Sequence, residues 1–339
     1  MLFSENYPLD HLNTFGIKVN ANFYAEAFSV EDIKEALAFK EKHNLRLFIL
    51  GGGSNVLFAN DFHGLVLRIV SKGVKIVEET TSHVIVEAQA GEVWHDFVNY
   101  TINNGWGGVE NLSLIPGTVG ASPIQNIGAY GTEIKDTCTF VTFLDLSSLE
   151  LKTFTNEECQ FGYRDSIFKR EGKEKYIITA VSFRLNKNPQ VNISYGQIKD
   201  FLLSKGVVDP TIKDVGNAVS DIRKSKLPNP SKIGNAGSFF KNPTIPKVFY
   251  TSLQATYPNI PSYPVNDNSV KVPAGWLIDQ RGWKGKSFGN AGVHEHQALV
   301  LVNKSNASGS EILTLAHQIQ RDILQIFGIL LEIEVNIIS

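Results

Sequence analysis

The segment from Asn111 to Thr132, NLSLIPGTVGASPIQNIGAYGT, carries no charged side chain and constrains this chain more than any other stretch. Gly117, Gly120, Gly128 and Gly131 alternate in it with Thr118, Ser122, Gln125 and Asn126. Glycines bring backbone N–H groups close to a ligand, and small polar side chains add further hydrogen bonds. Such a run can surround a diphosphate with oriented amide dipoles and no Lys or Arg. It can equally be a long turn-rich loop. The rest of the sequence has to decide.

The 339 residues are enough for about two or three domains with sizeable cores. A net charge of −2 argues against a general nucleic-acid binder, which carries a basic excess. Local basic patches serving a small anion remain open. Cys138 and Cys159 are the only cysteines and lie in no metal-binding spacing, which predicts a reducing compartment. The N-terminus lacks the basic start and apolar core of a signal peptide, and no segment approaches a transmembrane span. A soluble, monomeric, cytoplasmic protein is expected.

Ser29 followed by Asp32 reads as a helix N-cap with an acid three residues on, so a helix should run to about His43 with Ile33, Ala36 and Leu37 inward. Arg46–Leu50 reads as a strand. LVLRIV, VKIVEE and HVIVEAQA, between Leu65 and Gly91, predict a three-stranded meander. A second amphipathic helix is expected over Glu92–Asn103. Thr139–Leu146 and Leu149–Phe154 suggest a hairpin, and Tyr176–Leu185 a strong strand. Thr211–Ser225 has a helical pattern ended by Pro228 and Pro230. Pro258, Pro261 and Pro264 mark an irregular connector. A helix over Ser310–Phe327, closed by Gly328, precedes a strand ILLEIEVNII. The uneven alternation with consecutive β-runs indicates α+β, not a βαβ repeat.

Several familiar motifs fail. Gly51-x-Gly53 is followed by Val56 where a dinucleotide fingerprint needs its third glycine. Gly285-Lys286-Ser287 resembles the end of a P-loop, but Gln280 stands where its first glycine belongs. Gly285-Lys286-Ser287-Phe288-Gly289 satisfies the G-x-S-x-G pattern of hydrolases, but helix-like AGWLIDQ precedes it and no helix follows. His294 and His296 lack a spaced third metal ligand.

NTFG at Asn13, GGGSNVLF at Gly51, IPGTVGASPIQNIGAYG at Ile115, GYRDSIFK at Gly162, GNAGSFFKNP at Gly234, PAGWLIDQ at Pro273 and LEIEV at Leu331 occur in this order. Together they resemble the bacterial UDP-N-acetylenolpyruvoylglucosamine reductases over nearly the whole length. SYGQI around Tyr195 is similar to the tyrosine loop of the longer family type. The resemblance implies an FAD-binding domain of the p-cresol methylhydroxylase/vanillyl-alcohol oxidase type plus a C-terminal substrate-binding α+β domain. It implies subdomains at 1–66 (joined by a C-terminal strand at 328–339) and 67–188, with a substrate domain at 189–327. It further implies non-covalent FAD, NADPH as hydride donor, a UDP-sugar substrate and no metal. An FAD-dependent sugar-alcohol oxidase and a non-catalytic nucleotide-sugar binding protein are the competing readings.

Hydride addition to the terminal CH2 of an enolpyruvyl group leaves negative charge beside a carboxylate, which needs cationic or hydrogen-bonding contacts and then a proton. Arg164 suits the carboxylate through its forked guanidinium; alone, it could as well pair with Asp165 or stand as a surface charge. Glu332 and Glu334 share a face by the strand period, and spacing cannot choose between them. The resemblance assigns Glu334 as the polarising carboxyl and Ser238 as the proton donor. Six basic residues and no acidic one lie between Arg223 and Lys247, either a solvated face or an anchor for an anion. The resemblance assigns substrate contacts to Tyr195, Arg223, Lys226, Asn242 and Gln297. For FAD it implies Asn13 or Thr14, then Gly52, Gly53, Ser54 and Asn55. From the charge-free run it implies Pro116, Gly117, Thr118, Gly120, Ala121, Ser122, Gln125, Asn126, Gly128, Tyr130 and Gly131. Ile178 is a candidate adenine neighbour or an ordinary core residue.

Overall fold

A computed structural model describes residues 1–339, which divide into two compact units. The first holds Met1–Tyr7, Ala21–Gly52 and His63–Ser225; the second holds Pro8–Asn20, Gly53–Phe62 and Lys226–Ser339.

In the first unit the helix Val30–Lys42 begins as its sequence predicts. Ser29 accepts the Asp32 N–H through its hydroxyl and Asp32 caps back onto Ser29, while Ile33, Ala36 and Leu37 are buried. The helix packs into one apolar core with Leu65, Leu67, Val84 and Val86. A four-stranded sheet has the order Ser4–Pro8, Asn20–Ala27, Phe62–Ile69, Arg46–Leu50, and its last pair is parallel. A five-stranded antiparallel sheet has the order Glu150–Thr155, Cys138–Asp145, Tyr176–Asn186, His83–Gln89, Val74–Glu79.

The expected meander over Leu65–Gly91 is therefore broken. The strand Phe62–Ile69 belongs to the four-stranded sheet, and only Val74–Glu79 and His83–Gln89 pair as a hairpin. The reason is visible in side-chain burial. Leu65, Val66 and Leu67 are consecutive and all buried, the mark of a strand covered on both faces. His83–Gln89 instead alternates, with Val84, Val86 and Ala88 inward. The helix Trp94–Asn103 covers this sheet: its Trp94 and Phe97 rings lie 5.7 and 4.9 Å from Phe183. The hairpin across Ser147-Ser148 forms, with Asp145 accepting from the Ser147 N–H and hydroxyl. Helices Gly196–Ser204 and Ile212–Lys226 build a separate small core from Ile198, Leu202, Val215, Ala218, Val219 and Ile222.

The second unit packs short strands against the helix Gly309–Phe327. A Ser308/Glu311 capping box opens that helix, and Gly328, in the left-handed conformation, closes it. Its inward stripe, Ile312, Leu315, Ala316, Ile319, Ile323 and Phe327, follows the helical period. Two corrections arise here. Of ILLEIEVNII only Asn336–Ile338 is a regular strand, paired in parallel with Val56–Phe58; Ile333 makes a single bridge, to Phe240. Within the proline-marked connector, Tyr263–Asn266 is an edge strand, where the missing Pro264 donor breaks no ladder. No helix of the chain is long and apolar enough to cross a membrane.

Candidate active site

The first unit assembles a set of candidate residues around the charge-free run, which folds into a 3-10 turn at Val119–Ala121 and a short hairpin pairing Gly128–Ala129 with Thr132–Glu133. Its early part meets the glycine loop after the strand Arg46–Leu50. A Cβ on Gly52 would lie 2.9 Å from the Gly117 Cα, and one on Gly51 would lie 2.7 Å from the Thr118 hydroxyl. Only glycine permits this backbone-on-backbone approach. The Trp94 N–H donates to the Gly117 carbonyl at 3.0 Å, fixing the turn, whereas the N–H groups of Gly52, Gly117 and Thr118 donate to no acceptor in the chain. Three donors on touching turns, with no cation nearby in the run, fit a diphosphate-bearing cofactor.

Not every candidate in the run offers its side chain to a ligand. Asn126 is fully buried; it donates to Glu133 Oε2 at 3.0 Å and to the Gly162 carbonyl at 2.9 Å, and accepts the Lys135 N–H at 3.1 Å. Ser122 is buried and donates to the Val119 carbonyl at 2.7 Å. Ile178 sits within the first unit's core.

These inward bonds place Arg164. In GYRDS, Gly162 and Asp165 bridge each other, leaving Tyr163 and Arg164 at the tip of a tight turn with Arg164 at φ 53°. Three contacts tie the turn to the charge-free run: Asn126 to the Gly162 carbonyl, the buried Ser166 hydroxyl to the Ile124 carbonyl at 2.8 Å, and Arg164 Nη2 to the Gly128 carbonyl at 2.9 Å. The carboxylate of Asp165 pairs with Arg170. The Arg164 guanidinium also lies 5.5 Å from the Tyr163 ring.

Tyr130, Tyr195 and Arg223 gather at the same end of the unit. The two phenol rings meet edge to face at 5.4 Å, and Arg223 Nε donates to the Leu114 carbonyl at 3.2 Å. Burial disfavours the charge of Arg223, and the positive charge of Arg164 adds to the penalty, partly offset by Tyr130. Burial likewise raises the Tyr130 phenol. Two guanidiniums that repel each other in a partly desolvated setting favour an anion beside them. Sequence reasoning overlooked Asn111 and Asn192. The buried Asn111 amide donates to the carbonyls of Tyr130 at 3.1 Å and Asn192 at 2.9 Å, tying the segment before Tyr195 to the run. Asn111 opens the charge-free run; nothing about Asn192 in the sequence marks it.

In the second unit, Ser238, Asn242, Gln297 and Glu334 come together from three distant stretches. The segment after Gly237 is flanked on both edges. On one, Ser238 bridges Val300 and the Phe239 N–H donates to Leu299 at 2.8 Å; on the other, the Glu334 N–H donates to Phe239 at 2.9 Å and the Lys241 N–H to Glu332 at 2.9 Å. The Ser238 hydroxyl makes no hydrogen bond within the chain and is not buried. The geometry separates the two glutamates that spacing could not: Glu332 is exposed and ion-paired with Lys241, whereas Glu334 is half-buried. The Asn242 carbonyl oxygen accepts the Ala274 N–H at 2.9 Å, and Gln297 Oε1 lies 3.6 Å from where a Gly275 Cβ would stand. Burial lowers the pKa of Lys226.

Asn13 and Thr14 also lie in this unit. Asn13 is buried and uses its amide on Leu9 at 2.8 Å and on Ile17 at 3.0 and 2.9 Å, so its side chain holds its own turn together. Thr14 donates its N–H to the Gly53 carbonyl at 3.0 Å. Asn55 offers its carbonyl to Asn336. The hydrolase-like Ser287 lies in a strand-turn-strand hairpin, Ser287–Phe288 with Ala291–Val293, and Lys304 Nζ donates to its hydroxyl at 2.7 Å. A nucleophile elbow needs a helix at that point.

Residues 21–149 match the FAD binding domain family, and residues 229–338 match the UDP-N-acetylenolpyruvoylglucosamine reductase C-terminal domain. The UDP-N-acetylenolpyruvoylglucosamine reductase of Flavobacterium johnsoniae is 52% identical over 339 residues, 100% of both chains. That of Pseudomonas savastanoi pv. phaseolicola is 49% identical over 329 residues, 97% of each chain. The crystal structure of the Thermus caldophilus enzyme shares the fold with a TM-score of 0.68 over 100% of this chain and 98% of that one, at 22% identity. Full-length identity at this level, with both domains matched in order, places the chain in the UDP-N-acetylenolpyruvoylglucosamine reductase family of FAD-dependent oxidoreductases.

Proposed function

We propose that this enzyme reduces UDP-N-acetylglucosamine enolpyruvate to UDP-N-acetylmuramate with NADPH, supplying a peptidoglycan precursor, and that it acts as a cytoplasmic monomer. Bound FAD would supply the two-electron chemistry, carriage of a hydride from NADPH to the terminal CH2 of the enolpyruvyl group. Gly52, Gly117 and Thr118 would hold the cofactor diphosphate through their N–H groups, with Gly53, Ser54 and Asn55 of the same glycine loop as Gly52, and Thr14, contributing further contacts. Arg164 forks onto the substrate carboxylate and stabilises the charge that develops beside it. Ser238 Oγ donates its proton to the adjoining carbon; a carbanion next to a carboxylate is a far stronger base than an alkoxide, so the transfer runs downhill once the hydroxyl is positioned. Glu334 polarises the carboxylate. Tyr195, Arg223, Lys226, Asn242 and Gln297 anchor the substrate.

The observation that carries this reading is the Ser238 hydroxyl. It has no partner in the chain, yet ladder bonds to Leu299 and Glu334 hold its segment on both edges. The direct test is anaerobic. Protein loaded with FAD should bleach with NADPH and recover its colour on adding the enolpyruvyl substrate. Recovery with oxygen alone would instead indicate an oxidase, and protein that binds UDP-sugar but never bleaches would indicate a binding protein.

A further inference from the structure

His95 lies in the first turn of the helix Trp94–Asn103, outside the residues assigned above. Its Nδ1 accepts the Leu114 N–H at 3.0 Å, and the opposite ring nitrogen lies 3.3 Å from the Asn99 side-chain amide. Leu114 has φ 58°, a left-handed conformation that a leucine adopts only when its surroundings impose it. The same residue presents its carbonyl to Arg223 Nε at 3.2 Å. One peptide segment thus links an imidazole on one side to a partly desolvated guanidinium on the other.

We propose that His95 is a positioning residue: its unprotonated Nδ1 holds Leu114 in the left-handed conformation, and the Leu114 carbonyl in turn aims Arg223 at the anionic part of the substrate. Protonation of the ring places an N–H against the Leu114 N–H and releases both. The inference rests on the reading of Arg223 as a substrate contact. The charged groups facing the ring are Asp96 on its own helix and Arg223 and Lys224 on the helix Ile212–Lys226; the Leu114 segment carries none. Burial lowers the His95 pKa from 6.5; Lys224 and Arg223 push the same way and Asp96 opposes. The neutral, accepting ring therefore prevails at neutral pH, and substrate affinity should fall only as the medium is acidified below the ordinary imidazole range.

The test uses FAD-loaded enzyme and two readouts: the Kd of UDP-N-acetylmuramate by calorimetry, and the KM of the enolpyruvyl substrate. His95→Ala should raise both about tenfold, the scale of one lost hydrogen bond, and leave flavin bleaching by NADPH within about twofold of wild type. His95→Asn, whose carbonyl can accept the same N–H without titrating, should restore affinity to within about threefold and abolish its acid-side loss. Arg223→Gln separates the layers. If it leaves affinity unchanged, the reading of Arg223 falls and the proposal with it. If Arg223→Gln weakens binding and His95→Ala does not, the proposal alone is overturned. Should His95→Ala not fold, persistence of the wild-type acid dependence in His95→Asn overturns it.

Discussion

The charge-free run of the first unit and the GNAGSFFKNP segment of the second are both glycine-rich and both carry candidate site residues, yet they are held in opposite ways. In the run, side chains turn inward onto neighbouring carbonyls: Asn126 onto Gly162, Ser122 onto Val119, Asn111 onto Tyr130. In GNAGSFFKNP the backbone is taken up on both edges, by Leu299 and Val300 and by Glu332 and Glu334, and the Ser238 side chain is what stays open. The first arrangement suits an anion that reads N–H groups; the second suits a group that must hand over a proton from one fixed atom. Substituting the inward polar side chains should damage the first, and in the second a Cβ at Gly234 should disrupt the backbone held on both edges.

Gly234→Ala should produce the largest loss of stability. Its Cβ would collide with the Phe15 carbonyl oxygen, and the Gly234 carbonyl accepts the Asn303 N–H at 2.8 Å, so the segment cannot simply move away. A loss of about 4 kcal/mol or failure to fold is expected, read as thermal midpoint and soluble yield. A midpoint near wild type would show the second segment to be looser than its ladder implies.

Asn126→Ala comes next. It leaves the Lys135 N–H and the Gly162 carbonyl without their partner in a partly buried setting, for about 1–2 kcal/mol in denaturant melts. Because the same bond holds the GYRDS turn, the reaction with the enolpyruvyl substrate should slow while bleaching by NADPH is spared. Stability loss without that kinetic split would detach Arg164 from the run.

Glu332→Gln should do least. Its ion pair with Lys241 is exposed, so stability should change by under about 1 kcal/mol. Turnover should stay within about twofold of wild type in that variant, and fall by about 10²-fold or more in Glu334→Gln, the scale of removing one stabilising donor at developing charge. Equal effects from the two substitutions would mean that the geometry does not discriminate the pair.

Local signals were the legible part of the sequence. The capping box at Ser29 and the left-handed Gly328 follow from short-range bonds that leave residue-type signatures. What spacing could not show was sheet membership. Leu65–Ile69 reads like its neighbours in sequence, yet with Leu65, Val66 and Leu67 buried in succession it lies in a different sheet. Similarly, LEIEV suggests a strand, but Leu331–Val335 carries a single bridge, Ile333 to Phe240. The gathering of Ser238, Gln297 and Glu334 depends on ladder register between stretches far apart in sequence, which no local pattern encodes. Nor does composition reveal that Asn13, Ser122 and Asn126 bond inward, since a small polar residue reads the same whether it faces a ligand or a carbonyl.

The central claim is that Ser238 hands over the proton, and rapid-mixing spectroscopy of Ser238→Ala tests it most directly. Flavin bleaching by NADPH should proceed within about twofold of wild type, and reoxidation by the enolpyruvyl substrate should slow by about 10²–10⁴-fold, the range of a lost general acid. Reoxidation at the wild-type rate would contradict the account.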